Sequence, residues 1–469
     1  MKRKPFSVIA LGTLLLGAVT SLAACGEKGP AITVWVGGES VAFYKKVCKE
    51  FFKAHSEYSF HASVKGVDTG TVAGTITTDP SAAADIFTVA HDNIAKLVDA
   101  EAAYPITNEG LIKQVTDDNP QAFKDVIYAK AKGEEKAALY GVPYISQSLF
   151  LYYNKKFVSD EQAQTFDGLK AAAQAAGQQT KAFTITGTDG FNFSFVHLAK
   201  KTSDKTSTLK IYKDGDRFNN YFQGDDEVAL VRWANEMFAD PNGGMWPSEN
   251  WITDVQNEKV LALIGGAWHY DSFAASCDDF GIAMIPTFKL SANHVAGLSG
   301  VAAGEEFRGG TFADCKVFMM NMSVGQADAS KQEVVQELMK FLSSKDIQKR
   351  SFMECNNVPA FAGVAEYIEE IKNDITASQY ALGKAQTQMS EFGIAQPFVK
   401  SLYNTYYYSK GGPDKYVNLV KKPAADLTER LIRETLFRIE YLWGWGEEVP
   451  DAKIPETLPA PTDTRIQGN

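Results

Sequence analysis

Ala31-Ile-Thr-Val-Trp-Val36, then Gly37-Gly38, then Val41-Ala-Phe-Tyr-Lys-Lys-Val-Cys-Lys-Glu-Phe-Phe52 is the stretch that decides the class of fold. The first six residues are rich in β-branched and aromatic side chains and read as a buried strand. Two glycines break it, and Ser40 stands as a helix N-cap. From Val41 the apolar positions Tyr44, Val47, Cys48, Phe51 and Phe52 recur at helical spacing. A second strand is expected over residues 58–64. A third is expected at Ala84-Asp-Ile-Phe-Thr-Val89, running into Ala90-His91-Asp92. Strand, helix and strand in alternation imply an α/β fold with mostly parallel pairing.

The rhythm continues outward. Residues 139–153 are apolar but contain Pro143, which disfavours a central strand, so this stretch reads as a crossing segment rather than one strand. Helices are expected over 162–176, 225–238, 332–342, 364–372 and 427–443. Further strands are expected over 182–186, 260–264, 280–285 and 316–321. The tail 446–469 is rich in Pro, Thr and acidic residues. A chain of 469 residues exceeds one small core, so two domains are expected.

At the N-terminus, Lys2-Arg-Lys4 precedes an apolar run from Phe6 to Leu22 and then Leu22-Ala-Ala-Cys25-Gly26. A basic start with a short apolar core is the pattern of a secretory signal. Leu-Ala-Ala-Cys resembles a bacterial lipobox, which implies cleavage after residue 24 and lipidation of Cys25. Two acyl chains hold a protein stably at a bilayer where one does not. The alternative is a plain signal peptide with a chance cysteine.

Hydrophobic residues make up 45% and charged residues 22%, an ordinary globular balance. The full chain carries −10; without residues 1–24 it has 44 basic against 57 acidic residues, a formal −13. That balance, with no Lys/Arg run, argues against a nucleic-acid partner. Besides Cys25 the cysteines are Cys48, Cys277, Cys315 and Cys355, without metal-type spacing. Outside the cytoplasm these four could pair as disulfides; the reading favours free thiols, since a chain this long needs no staples. No GxSxG, HExxH, P-loop or GxGxxG occurs. His269-Tyr-Asp271 reads as structural. Tyr152-Tyr153 reads as strand packing rather than an iron site. No metal and no cofactor are expected.

Four separated segments carry a resemblance. They are Asp85-Ile-Phe-Thr-Val-Ala-His-Asp92, Gly141-Val-Pro-Tyr-Ile-Ser-Gln-Ser-Leu-Phe-Leu-Tyr-Tyr-Asn-Lys155, Leu263-Ile-Gly-Gly-Ala-Trp268 and Phe280-Gly-Ile-Ala-Met-Ile-Pro286. In order and spacing they resemble the maltodextrin-like, sugar-binding kind of bacterial extracellular solute-binding protein. The resemblance implies two α/β lobes of the type II periplasmic-binding fold, with mixed sheets and a hinge of crossing strands. It also implies a sugar or oligosaccharide ligand, ABC permease subunits as partners, and a monomer that is not an enzyme. The expected layout is a signal peptide at 1–24 and a lipidated linker at 25–30. A first lobe takes 31–143 and 287–350, a second takes 148–283 and 358–445, and a tail takes 446–469. Crossings are expected near 143–147, 284–286 and 356–359.

Carried over position by position, the resemblance gives Asp92 and Glu39 as hydroxyl-binding carboxylates, Gln147 as a hinge amide and Trp268 as a stacking ring. Val89, Asn93 and Gly393 depart from the family pattern, the first and last replacing stacking rings. Tyr270, Phe191, Phe193 and Phe392 are the candidate substitutes. Each has a plainer alternative: Trp268 as core, Asp92 as an N-cap, Glu39 placed for the helix dipole, Gln147 as a surface amide, Phe191 and Phe193 as packing. A non-sugar solute, or a surface glycoside hydrolase using a carboxylate pair, are the rival functions.

Overall fold

The structure, a computed structural model, describes residues 29–177, 179–187, 191–205, 210–214, 217–221, 224–245, 247–393 and 412–445. The expected signal segment 1–24, Cys25 and the tail 446–469 lie outside them. Among the described residues no helix is long and apolar enough to cross a membrane.

Two hydrophobic cores define two lobes. The first lobe is built on a six-stranded mixed sheet. Its spatial order is His61–Val67, Ala31–Gly37, Ile86–Ala90, Asp314–Asn321, Ala103–Tyr104, with Val142–Gln147 also paired to Asp314–Asn321. Ala31–Gly37 pairs in parallel with both neighbours, while Asp314–Asn321 runs antiparallel to all of its own. Ile32, Val34 and Val36 point into the core, the alternation expected of a strand. Helix Val41–Ala54 covers the sheet with Tyr44, Val47, Cys48 and Phe51, all buried. The second strand starts three residues later than the sequence suggests, at His61 rather than 58.

The second lobe has a five-stranded mixed sheet in the order Gly244–Met245, Phe183–Ile185, Ala262–Gly265, Phe150–Asn154, Phe280–Ala283. Helices Phe166–Ala176, Asp225–Ala239 and Ala377–Phe392 enclose it. Phe150–Asn154 is buried along its whole length, and Tyr152 donates its hydroxyl to the Gly266 carbonyl at 3.0 Å. That assigns Tyr152 to packing.

The apolar run 139–153 divides into two strands in different lobes. Pro143 sits in the first, where the register slips between Lys316 and Val317, as a residue with no N–H requires. Only Ser148 and Leu149 separate the two strands. Their N–H groups are taken up by Gln386 Oε1 at 3.0 Å and Thr311 Oγ1 at 2.8 Å, so the crossing keeps its backbone paired.

The return crossing differs from the expected one. Residues 284–286 do not pass between lobes. Ile285, Phe288, Phe307 and Phe312 all lie in the second core, and Thr287–Lys289 and Glu306–Arg308 form a small sheet with Lys200–Lys201. The strand before Pro286 ends at Ala283, Pro286 directly precedes Thr287–Lys289, and the hairpin that follows folds back on the same lobe. The chain returns at Phe312–Asp314, so the expected first-lobe segment 287–350 divides there. A third crossing passes near Val358–Ala360, with Ser146 N–H donating to the Val358 carbonyl at 2.8 Å. No disulfide forms among the described residues. Burial pushes the Cys48 thiol up to about 12 and is the largest influence holding Cys355 at about 11.

Candidate functional site

A cleft of about 390 Å³ opens between the lobes, lined by Glu39, Asp68, Asp92, Asn93, Asp314 and Lys316 of the first lobe, Gln147 at the crossing, and Phe191 and Trp268 of the second. Most of these residues come after the C-terminal ends of strands, where open α/β sheets place their ligands.

Glu39 sits in the single turn Gly38–Ser40 beyond Ala31–Gly37. Its carboxylate folds over Gly37, where a Cβ would lie 2.3 Å from Oε1, so a larger residue at 37 would push the Glu39 side chain aside. Glu39 is thus at a helix N-terminus and in the cleft at once. The Ser40 hydroxyl does not bond the helix it precedes; Asn357 of the third crossing donates to it at 2.9 Å. Asp92 comes after Ile86–Ala90 in the turn His91–Asn93. The N-cap position of the next helix is Asn93, so Asp92 is not a cap.

Trp268 comes after Ala262–Gly265 in the turn Ala267–His269. Its ring lies over Gly266, where a Cβ would meet it at 2.1 Å. The side chain is 40% exposed and therefore not core. Phe191 supports it at 5.8 Å, and itself stacks on Phe312 at 12°. His269 lies half-buried behind the turn against Trp251, and desolvation holds its imidazole down at about 4, so the ring is neutral near pH 7. Gln147 is only 7% exposed, so it is not a surface amide.

Lys316 is buried on the crossing strand, 3.8 Å from Glu39. Burial pushes its ammonium pKa down, while Glu39, Asp314 and Asp68 push it up. Asp314 is buried beside it and bonds the His91 ring. The cleft thus joins, among the described residues, four carboxylates and one ammonium with two amides, Asn93 and Gln147, and an exposed indole. Among the described residues no group of three His, Cys, Asp or Glu is placed to hold a metal ion.

Five of the eight sequence candidates come together here: Glu39, Asp92, Gln147, Phe191 and Trp268. Three do not line the cleft. Phe193 is fully buried among Phe195, His197 and Tyr416. Tyr270 packs edge-on against Phe280 and its hydroxyl bonds that of Ser378 at 2.6 Å. Phe392 is buried under the Lys200 ammonium at 5.3 Å. Val89, read as a lost stacking ring, points into the first core, and Ala90 lines the cleft instead. Sequence reasoning misses Asp68, Asp314 and Lys316. The first lies just beyond a strand whose expected end falls three residues short. The other two sit on a strand that looks, in sequence, like plain core.

The sequence profile of the bacterial extracellular solute-binding proteins matches residues 46–379. A maltooligosaccharide ABC transporter solute-binding lipoprotein of Streptococcus pneumoniae is 24% identical, over 79% of this chain and 84% of that one. A galactooligosaccharide-binding protein of Bacillus subtilis is 23% identical, over 83% and 87%. Among solved structures, MalX from Streptococcus pneumoniae in complex with maltopentaose superposes with a TM-score of 0.61 at 21% identity, covering 86% of this chain and 100% of that one. The two-lobed fold is therefore shared with maltodextrin-binding proteins.

Proposed function

The chain belongs to the bacterial extracellular solute-binding protein family, and from that premise we propose that it captures an oligosaccharide between its lobes and delivers it, chemically unchanged, to an ABC permease. The observation that carries this reading is the composition of the cleft. An exposed indole from one lobe shares a cavity with Glu39, Asp92 and Lys316 from the other. A flat ring suits the apolar face of a pyranose. Carboxylates accept from sugar hydroxyls, and the ammonium and amide donate to them, in charge-assisted bonds. A ligand touching both lobes favours the closed arrangement by its extra contacts there.

The similar proteins are named for malto- and galacto-oligosaccharides, and a hexose oligosaccharide is the proposed ligand class here. Among the described residues Phe191 and Trp268 are the aromatic side chains in this cleft, and they set one stacking platform. The proposal includes lipidation of Cys25, which would hold a monomer at the outer face of the cell membrane.

A thermal-shift screen tests the ligand class, because anything that binds only the folded state raises the melting temperature. Malto-, galacto- and other gluco-oligosaccharides form one arm, polyamines and short peptides the other. A shift with an oligosaccharide, recovered intact by chromatography, is expected. A shift only in the second arm would replace the sugar reading, and cleavage products would indicate a hydrolase.

A further inference from the structure

The acidic chain keeps a basic groove whose lysines are uncompensated among the described residues. It has a volume of about 620 Å³ and lies at the outer edge of the first-lobe sheet, between strand His61–Val67 and helix Val41–Ala54. Lys45, Lys49 and Lys53 line it, spaced by four and so on one helix face. The adjoining flank of that helix is neutralised: Lys46 pairs with Glu354 at 2.9 Å and Glu50 with Arg350 at 2.8 Å. Lys45, Lys49 and Lys53 form no ion pair among the described residues. Like charges at this spacing repel and weaken a helix, so their clustering needs a reason outside it. Phe52 and Phe60, half-buried, add apolar surface. The strand beside them is the edge of its sheet, with outward backbone groups unpaired among the described strands.

The position of the groove suggests what it meets. His61 N–H donates to the Pro30 carbonyl at 3.2 Å, and a Cβ on Gly29 would lie 1.9 Å from the Ser59 carbonyl. The groove therefore begins where the chain enters the fold. Four residue steps separate Gly29 from Cys25, a reach of at most about 14 Å. Given the proposed lipidation of Cys25, on which this step rests, the near end of the groove is held within about 14 Å of the lipidated residue, under two Debye lengths of about 8–10 Å.

We infer that this groove docks anionic phospholipid headgroups of the membrane to which the chain is tethered. The three ammonium groups meet phosphates, and Phe52 and Phe60 meet the glycerol region. Docking fixes the orientation of the first lobe at the surface. Each lysine near an anionic surface raises binding about fivefold, and three together about a hundredfold, weakened by salt.

The test uses the lipidated protein anchored in vesicles of phosphatidylcholine alone or with about one-third phosphatidylglycerol. Lysine acylation is read by mass spectrometry, and the same digest shows whether Cys25 carries lipid. The expected result is at least fivefold slower labelling of Lys45, Lys49 and Lys53 in the anionic vesicles, with Lys113 unchanged and the protection lost at high salt. K45Q/K49Q/K53Q, checked by its melting curve, should remain anchored and lose the preference for anionic vesicles in surface orientation by energy transfer. Equal labelling in both vesicles, with Cys25 lipidated, overturns the inference. Protection in phosphatidylcholine as well would mean that protein covers the groove, and protection by soluble glycerophosphate would mean a free phosphate ligand; either overturns it. An unlipidated Cys25 overturns the anchoring reading and this inference with it.

Discussion

Replacing Trp268 with alanine separates a ligand platform from a core residue. The side chain is 40% exposed. A tryptophan presents roughly 250 Å² when free, so about 100 Å² remains for a ligand to cover. At about 25 cal/mol per Å² that surface contributes about 2.5 kcal/mol on full burial. One sugar face covers most of it, so the loss of affinity should be about 2 kcal/mol, or roughly thirtyfold in Kd. The loss of stability should be smaller than the ~3–5 kcal/mol of a core tryptophan, because the ring rests on Gly266 and Phe191 rather than within a packed interior. Calorimetric titration and a melting curve on the same variant measure both. Unchanged affinity with a large loss of stability would refute the reasoning and leave the cleft without its stacking ring.

Gln386→Ala strips the acceptor from the Ser148 N–H at the buried lobe crossing and should cost about 1–3 kcal/mol in denaturant unfolding; a change within about 0.5 kcal/mol would mean that the crossing has another partner. His269 titrates near 4 when folded and near its ordinary value when unfolded, so the unfolded state binds more protons between about pH 6.5 and 4. The melting temperature should therefore fall as pH is lowered through that window, and His269→Gln should flatten the fall; identical profiles for both proteins would contradict this. Cys25→Ser should release the protein from membranes or leave its signal uncleaved, and a variant as bound and as processed as the wild type would exclude the lipobox reading.

Local signals carry the fold a long way. The period-two burial of Ile32, Val34 and Val36 and the helical spacing of Tyr44, Val47 and Phe51 are legible because one face of each is core and the other is not. The route between lobes is only partly legible at Pro143: its missing donor goes with a shift of register inside the strand Val142–Gln147, and the crossing itself comes at Ser148–Leu149. It is not legible at 284–286, because the course of the chain after Pro286 is decided by a distant pairing: Thr287–Lys289 finds its partner at Glu306–Arg308. Helix Ala377–Phe392 is absent from the sequence expectations although Thr376 and Gln379 form a capping box, a signal present in the sequence. In the site, Trp268 and Asp92 stand out because they lie just past strand ends. Asp314 and Lys316 are hidden in a run buried from end to end, where a polar residue looks like an exception until its partners His91 and Glu39 are seen. Phe193 and Phe392 show the reverse: an aromatic in sequence does not reveal which way it points.

The central claim is that an oligosaccharide is gripped by two lobes that close about three crossings. Small-angle scattering of the protein, empty and saturated with the oligosaccharide that gives the largest thermal shift, measures this directly. The account predicts a smaller radius of gyration in the saturated sample, and no such change for Trp268→Ala at the same ligand concentration where its binding is lost. An unchanged radius of gyration in the wild-type protein at proven saturation would contradict closure.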